Sequence, residues 1–125
     1  MKIIAAAVSV VLTTATTSAL AQSGDATRGE RLFNQQCKAC HTVEKGGRNG
    51  IGPNLFGMFG QKAGAVEGFQ FSEAMKTSGI VWDDKTIDAY LKDPKGYIPK
   101  NKMVFVGLPK DGDRADVIAY LKTAK

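Results

Sequence analysis

Apolar positions after residue 24 come in short clusters divided by charge, not in long runs. Between Asp25 and Cys37 the only large aliphatic or aromatic side chains are Leu32 and Phe33, with Arg28, Glu30 and Arg31 turned outward. That pattern predicts a helix with one apolar edge, and Asp25 supplies its N-cap oxygen. A second, short helix is expected from a cap at Ser72 to a stop at Gly79. A third opens at Asp83 or Asp84, places Ile87, Tyr90 and Leu91 on its apolar face and stops at Pro94. The last runs from about Asp113 to Ala124, where Val117, Tyr120 and Leu121 form an i, i+3, i+4 stripe beside Ile118. Small Gly29 lets the first and last helices cross closely, with Phe33, Val117 and Tyr120 at the contact. Gly46-Gly47, Gly50 and Gly52-Pro53 mark a long loop, and Tyr97 to Gly107 a second one. The expected fold is all-α, without a substantial sheet.

The N-terminus follows another logic. Met1-Lys2 precedes an apolar stretch from Ile3 to Leu12, then a Thr/Ser/Ala-rich stretch ending Ala19-Leu20-Ala21. A basic start, an apolar middle and small residues at −3 and −1 describe a secretory signal cut after Ala21. A bilayer span needs about 20 apolar residues, and Thr13 to Ser18 interrupts this one with five hydroxyl residues. Residues 1–21 therefore read as a cleaved leader and 22–125 as one small domain, exported to the periplasm without a permanent membrane anchor.

The formal charge is +5, and losing the leader removes only Lys2, leaving 16 basic against 12 acidic residues. Such a balance serves solubility or steers acidic partners. Nucleic acid fits poorly, because the lysines are spread along the chain and the compartment is wrong.

Residues 37 to 41 read Cys37-Lys38-Ala39-Cys40-His41, the C-x-x-C-H signature of c-type haem attachment. Two thiols at this spacing reach two vinyl groups of one porphyrin, and the next residue falls beneath the iron as an imidazole ligand. A thioredoxin-like pair would need a βαβ context. A zinc site needs four ligands, and the chain has two cysteines and one histidine. A disulfide across two residues would gain little loop entropy.

Because His41 is the only histidine, a bis-histidine haem is excluded. The sixth iron position is open, or filled by Met, Lys, another atom or a partner. After the leader the methionines are Met58, Met75 and Met103. Met58 and Met75 read first as core filler. Met103 lies in the loop Tyr97-Ile98-Pro99-Lys100-Asn101-Lys102-Met103-Val104-Phe105-Val106-Gly107, well placed to reach back across a haem.

From Gly24 to Lys122 the chain resembles class I cytochrome c, especially the mitochondrial type and its bacterial relatives. The resemblance is carried by Gly29, Phe33, Cys37 to His41, Thr42 to Gly47, Gly52-Pro53-Asn54-Leu55, Trp82, Tyr90-Leu91 and Asp93-Pro94-Lys95. It continues through Tyr97-Ile98-Pro99, Lys102-Met103 and Ala119-Tyr120-Leu121-Lys122. It implies about five helices, three of them main, wrapped around one covalent haem c held by Cys37 and Cys40. It also implies His41 and Met103 as axial ligands, with the Pro53 carbonyl accepting the other ring N–H of His41. Trp82, Tyr90 and Phe105 are expected in the pocket wall. Such an iron has no vacant site, which implies a monomeric one-electron carrier and not an enzyme. The competing class is a haem enzyme or gas-binding protein with a labile sixth ligand.

Four positions depart from the mitochondrial pattern: Gln61 for an arginine, Phe71 for a tyrosine, Met75 for an asparagine and Asn101 for a threonine, though the Asn101 amide can still donate. The first two remove propionate partners and leave the potential open. Met75 adds a second sulfur able to compete with Met103. The family presents lysines around the haem edge, and here Lys95, Lys102 and Lys110 match, with Arg31 also basic and Lys38 and Lys100 adding to the ring. Gln36, Gly96 and Pro109 thin it. The implied partners are redox proteins with acidic docking surfaces: quinol–cytochrome c oxidoreductase, a terminal oxidase, a reductase or a reaction centre.

Overall fold

The computed structural model describes Val10 and residues 23–125. The leader expected over residues 1–21 lies outside them apart from that one position. Among the described residues five helices follow one another: α1 Ala26–Gln36, α2 Glu73–Lys76, α3 Asp84–Lys92, α4 Pro94–Tyr97 and α5 Asp111–Leu121. Among the described residues the β pairing is one isolated antiparallel bridge, Lys62 to Val81, so the fold is all-α. No helix among them is long and apolar enough to cross a membrane.

Side-chain oxygens start four of the helices. Asp25 accepts the Arg28 N–H at 3.0 Å, Ser72 that of Met75 at 3.1 Å, and Asp83 forms a reciprocal capping box with Thr86. Helix α2 is shorter than the sequence suggests: Thr77 caps its C-terminus, two residues before Gly79, which takes a left-handed φ of 70°. Asp93 ends α3 and caps α4, with Pro94 in the first turn of α4. The proline that stops one helix thus opens the next. Helix α5 begins two residues earlier than expected. Its N-cap, Lys110, makes no side-chain cap, and Asp111 and Asp113 lie in the first turn, where the helix dipole favours negative charge.

Helices α1 and α5 cross at backbone distance. A Cβ on Gly29 would meet the Asp116 carbonyl, and one on Gly24 the Ala115 carbonyl. The Phe33 and Tyr120 rings meet at 5.4 Å, tilted by 57°. Buried Asp116 accepts the Asp25 N–H at 2.7 Å and pairs with Arg28 at 3.2 Å, tying the start of α1 to α5. One apolar cluster contains Met75, Trp82, Ile87, Tyr90 and Ile98, and a second contains Phe33, Leu108, Val117 and Leu121. Met58, Phe59 and Leu91 pack against both. Arg114, only 3 % exposed, closes the structure. Its Nε reaches Asp88 of α3 at 2.7 Å, its Nη1 donates to the Leu108 and Pro109 carbonyls at 2.9 and 3.0 Å, and its Nη2 meets Asp111.

Candidate functional site

Helix α1 ends at Cys37, and the N–H groups of Cys40 and His41 both return to the Cys37 carbonyl at 3.0 Å. One tight turn therefore carries both thiols and the imidazole. Both cysteines are partly exposed. Burial, and then the neighbouring Cys40, push the Cys37 thiol up to about 11. A thioredoxin-like pair works through a lowered thiol pKa, so that reading fits badly.

The His41 Nδ1 lies 2.8 Å from the Pro53 carbonyl oxygen. A carbonyl can only accept, so Nδ1 carries the proton and Nε2 keeps its lone pair for a metal. Burial lowers the His41 pKa, against an opposing pull from the Pro53 bond, and the neutral ring is the form that ligates. Gly52 completes the seat: a Cβ there would stand 2.4 Å from the His41 Cε1. In the sequence Gly52 marks only a loop, and nothing distinguishes it from its neighbours as a support for the ring. The loop is fastened by Leu55 N–H to Thr42 O at 2.8 Å and by Asn54 Nδ2 to Thr42 Oγ1 at 2.7 Å.

Helices α3 and α4 and the loop after them build the other side. Met103 packs against the cluster that holds Trp82 and Tyr90, and the Tyr90 hydroxyl approaches its sulfur at 4.0 Å. Burial pushes the Tyr90 phenol up to about 12, so near neutral pH it is an uncharged donor. The Trp82 and Tyr90 rings meet at 5.2 Å and 47°. Phe105 packs against the cluster of Phe33 and Leu108. Asn101 is buried and holds the loop: its Nδ2 donates to the Pro94 and Ile98 carbonyls at 2.8 Å each, and its Oδ1 accepts the Met103 N–H at 2.9 Å.

The departing residues have definite places. Met75 is buried beside Trp82 and Tyr90 in the cluster on which Met103 packs. Phe71 stacks edge-on against Phe69 at 4.8 Å. Gln61 is exposed, and its carbonyl accepts the Trp82 N–H at 2.9 Å. Lys38, Lys95, Lys100, Lys102 and Lys110 are all exposed, and they separate into two kinds by their partners. Lys38, Lys100 and Lys110 are exposed and make no side-chain hydrogen bond or ion pair among the described residues. Lys102 donates to the Gln70 carbonyl at 3.1 Å, and Lys95 is engaged with Asn101.

This donor set fits a haem. Two thiols and an imidazole with a free Nε2 share one turn, and a thioether stands on a loop packed into apolar core. When bound, such a group supplies an iron that alternates between Fe(II) and Fe(III).

Residues 26–125 match the family model described as Cytochrome c. The cytochrome c of Theileria parva is 54% identical over 101 residues, covering 81% of this chain and 87% of the relative. That of Chlamydomonas reinhardtii is 50% identical over 108 residues, covering 86% and 96%. Cytochrome c2 iso-2 of Magnetospirillum fulvum is 58% identical over 87 residues, covering 70% and 90%.

Proposed function

The chain belongs to the class I cytochrome c family, and from that premise we propose a soluble periplasmic shuttle in which Cys37 and Cys40 would hold a covalent haem and His41 and Met103 would ligate its iron. It is a haem c electron carrier and not an enzyme. The observation that carries the ligand assignment is the fixed His41 ring, held by Pro53 at 2.8 Å and backed by Gly52. That bond orients Nε2 and raises its basicity. On the other side Asn101 orders the backbone of Met103, and the Tyr90 hydroxyl lies against its sulfur. A thioether ligand favours Fe(II). Trp82, Tyr90 and Phe105 are apolar wall that keeps water from the iron.

The basic start, apolar middle and small residues before Gln22 support export, with a mature chain of 22–125. The partners are redox proteins with acidic faces: a quinol–cytochrome c oxidoreductase, terminal oxidase, reductase or reaction centre. Exposed Lys38, Lys100 and Lys110 steer the encounter. The test is carbon monoxide added to the reduced holoprotein. Slow, weak binding is expected of a carrier, and rapid, tight binding by the native state would turn the assignment to a gas-binding protein or haem enzyme. Rates with an acidic redox partner should fall as salt rises; a rate flat with salt defeats the steering role.

A further inference from the structure

Asn101 is 4 % exposed, and its whole amide is engaged. Its Oδ1 receives the Met103 N–H at 2.9 Å and the Lys95 ammonium at 3.3 Å, while its two Nδ2 hydrogens go to Pro94 and Ile98. Turning the amide over would set donor against donor at Met103 and Lys95 and acceptor against acceptor at Pro94 and Ile98, so the hydrogen-bond network fixes its orientation. The same ammonium also donates to the Asn101 main-chain carbonyl. One cation on α4 thus bridges both carbonyl oxygens of the residue that orders Met103.

The loop has a reason to need this. Lys100, directly before Asn101, has φ 65°, a conformation that a side chain with a Cβ adopts at a cost. The two residues that follow Met103 on its exposed side offer little anchorage: Val104 and Val106 are 99 % and 94 % exposed. The Asn101 contacts hold this strained segment together with Lys102 on the Gln70 carbonyl and Phe105 against the core.

We propose that Lys95 is a positioning residue for the Met103 loop, acting through Asn101. The inference rests on Met103 being the iron ligand. Lys95 is exposed like Lys38, Lys100 and Lys110, and differs from them in having side-chain partners among the described residues.

The test compares Lys95→Gln with Lys45→Gln, which removes an equal charge from an exposed loop outside the site. Hydrogen exchange of the Met103 amide in the holoprotein should quicken about tenfold in Lys95→Gln, the scale of losing a charge-assisted hydrogen bond, and stay unchanged in Lys45→Gln. Equal exchange in the two variants overturns the clamp. Imidazole added to the ferric protein should bind about tenfold more tightly to Lys95→Gln, because the loop opens more often. Faster exchange without tighter imidazole binding overturns the claim that the clamp holds the sulfur. Failure of the ligand assignment would show separately, as a wild-type ferric protein lacking the weak far-red sulfur-to-iron band, and the exchange result would still judge the clamp.

Discussion

A Cβ on Gly29 would lie 1.9 Å from the carbonyl oxygen of Asp116. The obstacle is backbone, so no rotamer change relieves it, and α1 and α5 would have to separate. Alanine gains about 1 kcal/mol in helix propensity, but forcing packed helices apart costs more than that. Gly29→Ala should lower the unfolding free energy of the holoprotein by about 2 kcal/mol, read from denaturant melts. An unchanged midpoint would mean that the crossing is looser than this contact requires.

Met103→Ala should abolish the far-red band of the ferric protein and let carbon monoxide bind the ferrous form quickly. Met75 is the competitor, buried in the cluster on which Met103 packs. If the band survives in Met103→Ala and disappears in the double substitution with Met75→Ala, the second sulfur has taken the iron. If it survives in both, neither methionine is the ligand.

What the sequence made legible was local. Asp25, Ser72 and Asp83 were readable as caps because a short side-chain oxygen before a helix has one dominant use. Gly29 was readable as a crossing point because it lies on the same face of α1 as Phe33, facing Val117 and Tyr120. The start of α5 was misjudged by two residues because Lys110 offers no cap oxygen and Asp111 turns to Arg114. Pro94 was readable as a stop, but its second use in opening α4 depends on Asp93 serving both helices. Cys37, Cys40 and His41 announce their chemistry by spacing alone. Gly52 against His41, Arg114 with Asp88, and Asp116 with Asp25 are pairings between separate segments, and composition gives no sign of them. Lys95 reads in the sequence as one of the docking lysines, and only its hydrogen-bond partners show its second role.

Lys100 tests backbone strain apart from charge. Asparagine tolerates left-handed φ, whereas a β-branched side chain does not. Lys100→Asn and Lys100→Val remove the same charge, so docking effects cancel between them. Lys100→Val should be less stable than Lys100→Asn by about 1–2 kcal/mol. Equal stabilities would show that the φ of 65° stores no strain.

Acid sensitivity has a definite sign at Asp83. The Thr86 N–H beside it, first among its causes, lowers the carboxyl below its ordinary 3.8. Its stabilising effect is therefore present above that value and is lost as the pH falls through the folded-state pKa. Asp83→Asn keeps an acceptor oxygen but cannot titrate. Its denaturation midpoint should fall less steeply than wild type below about pH 4, and parallel curves would remove Asp83 from the acid response.

The buried Arg114 changes what opening can mean for the chain around Met103. Ile98 is anchored in one core cluster and Leu108 in the other, and the guanidinium holds the Leu108 and Pro109 carbonyls to α3 and α5. Residues 99–107 are therefore a short closed loop on fixed posts. Leaving the core costs that stretch its own contacts and little else, and its return is a search over a few residues, on the order of 10–100 ns for a loop of this size. Met103 displaced from the core would therefore have only a short search back to its place.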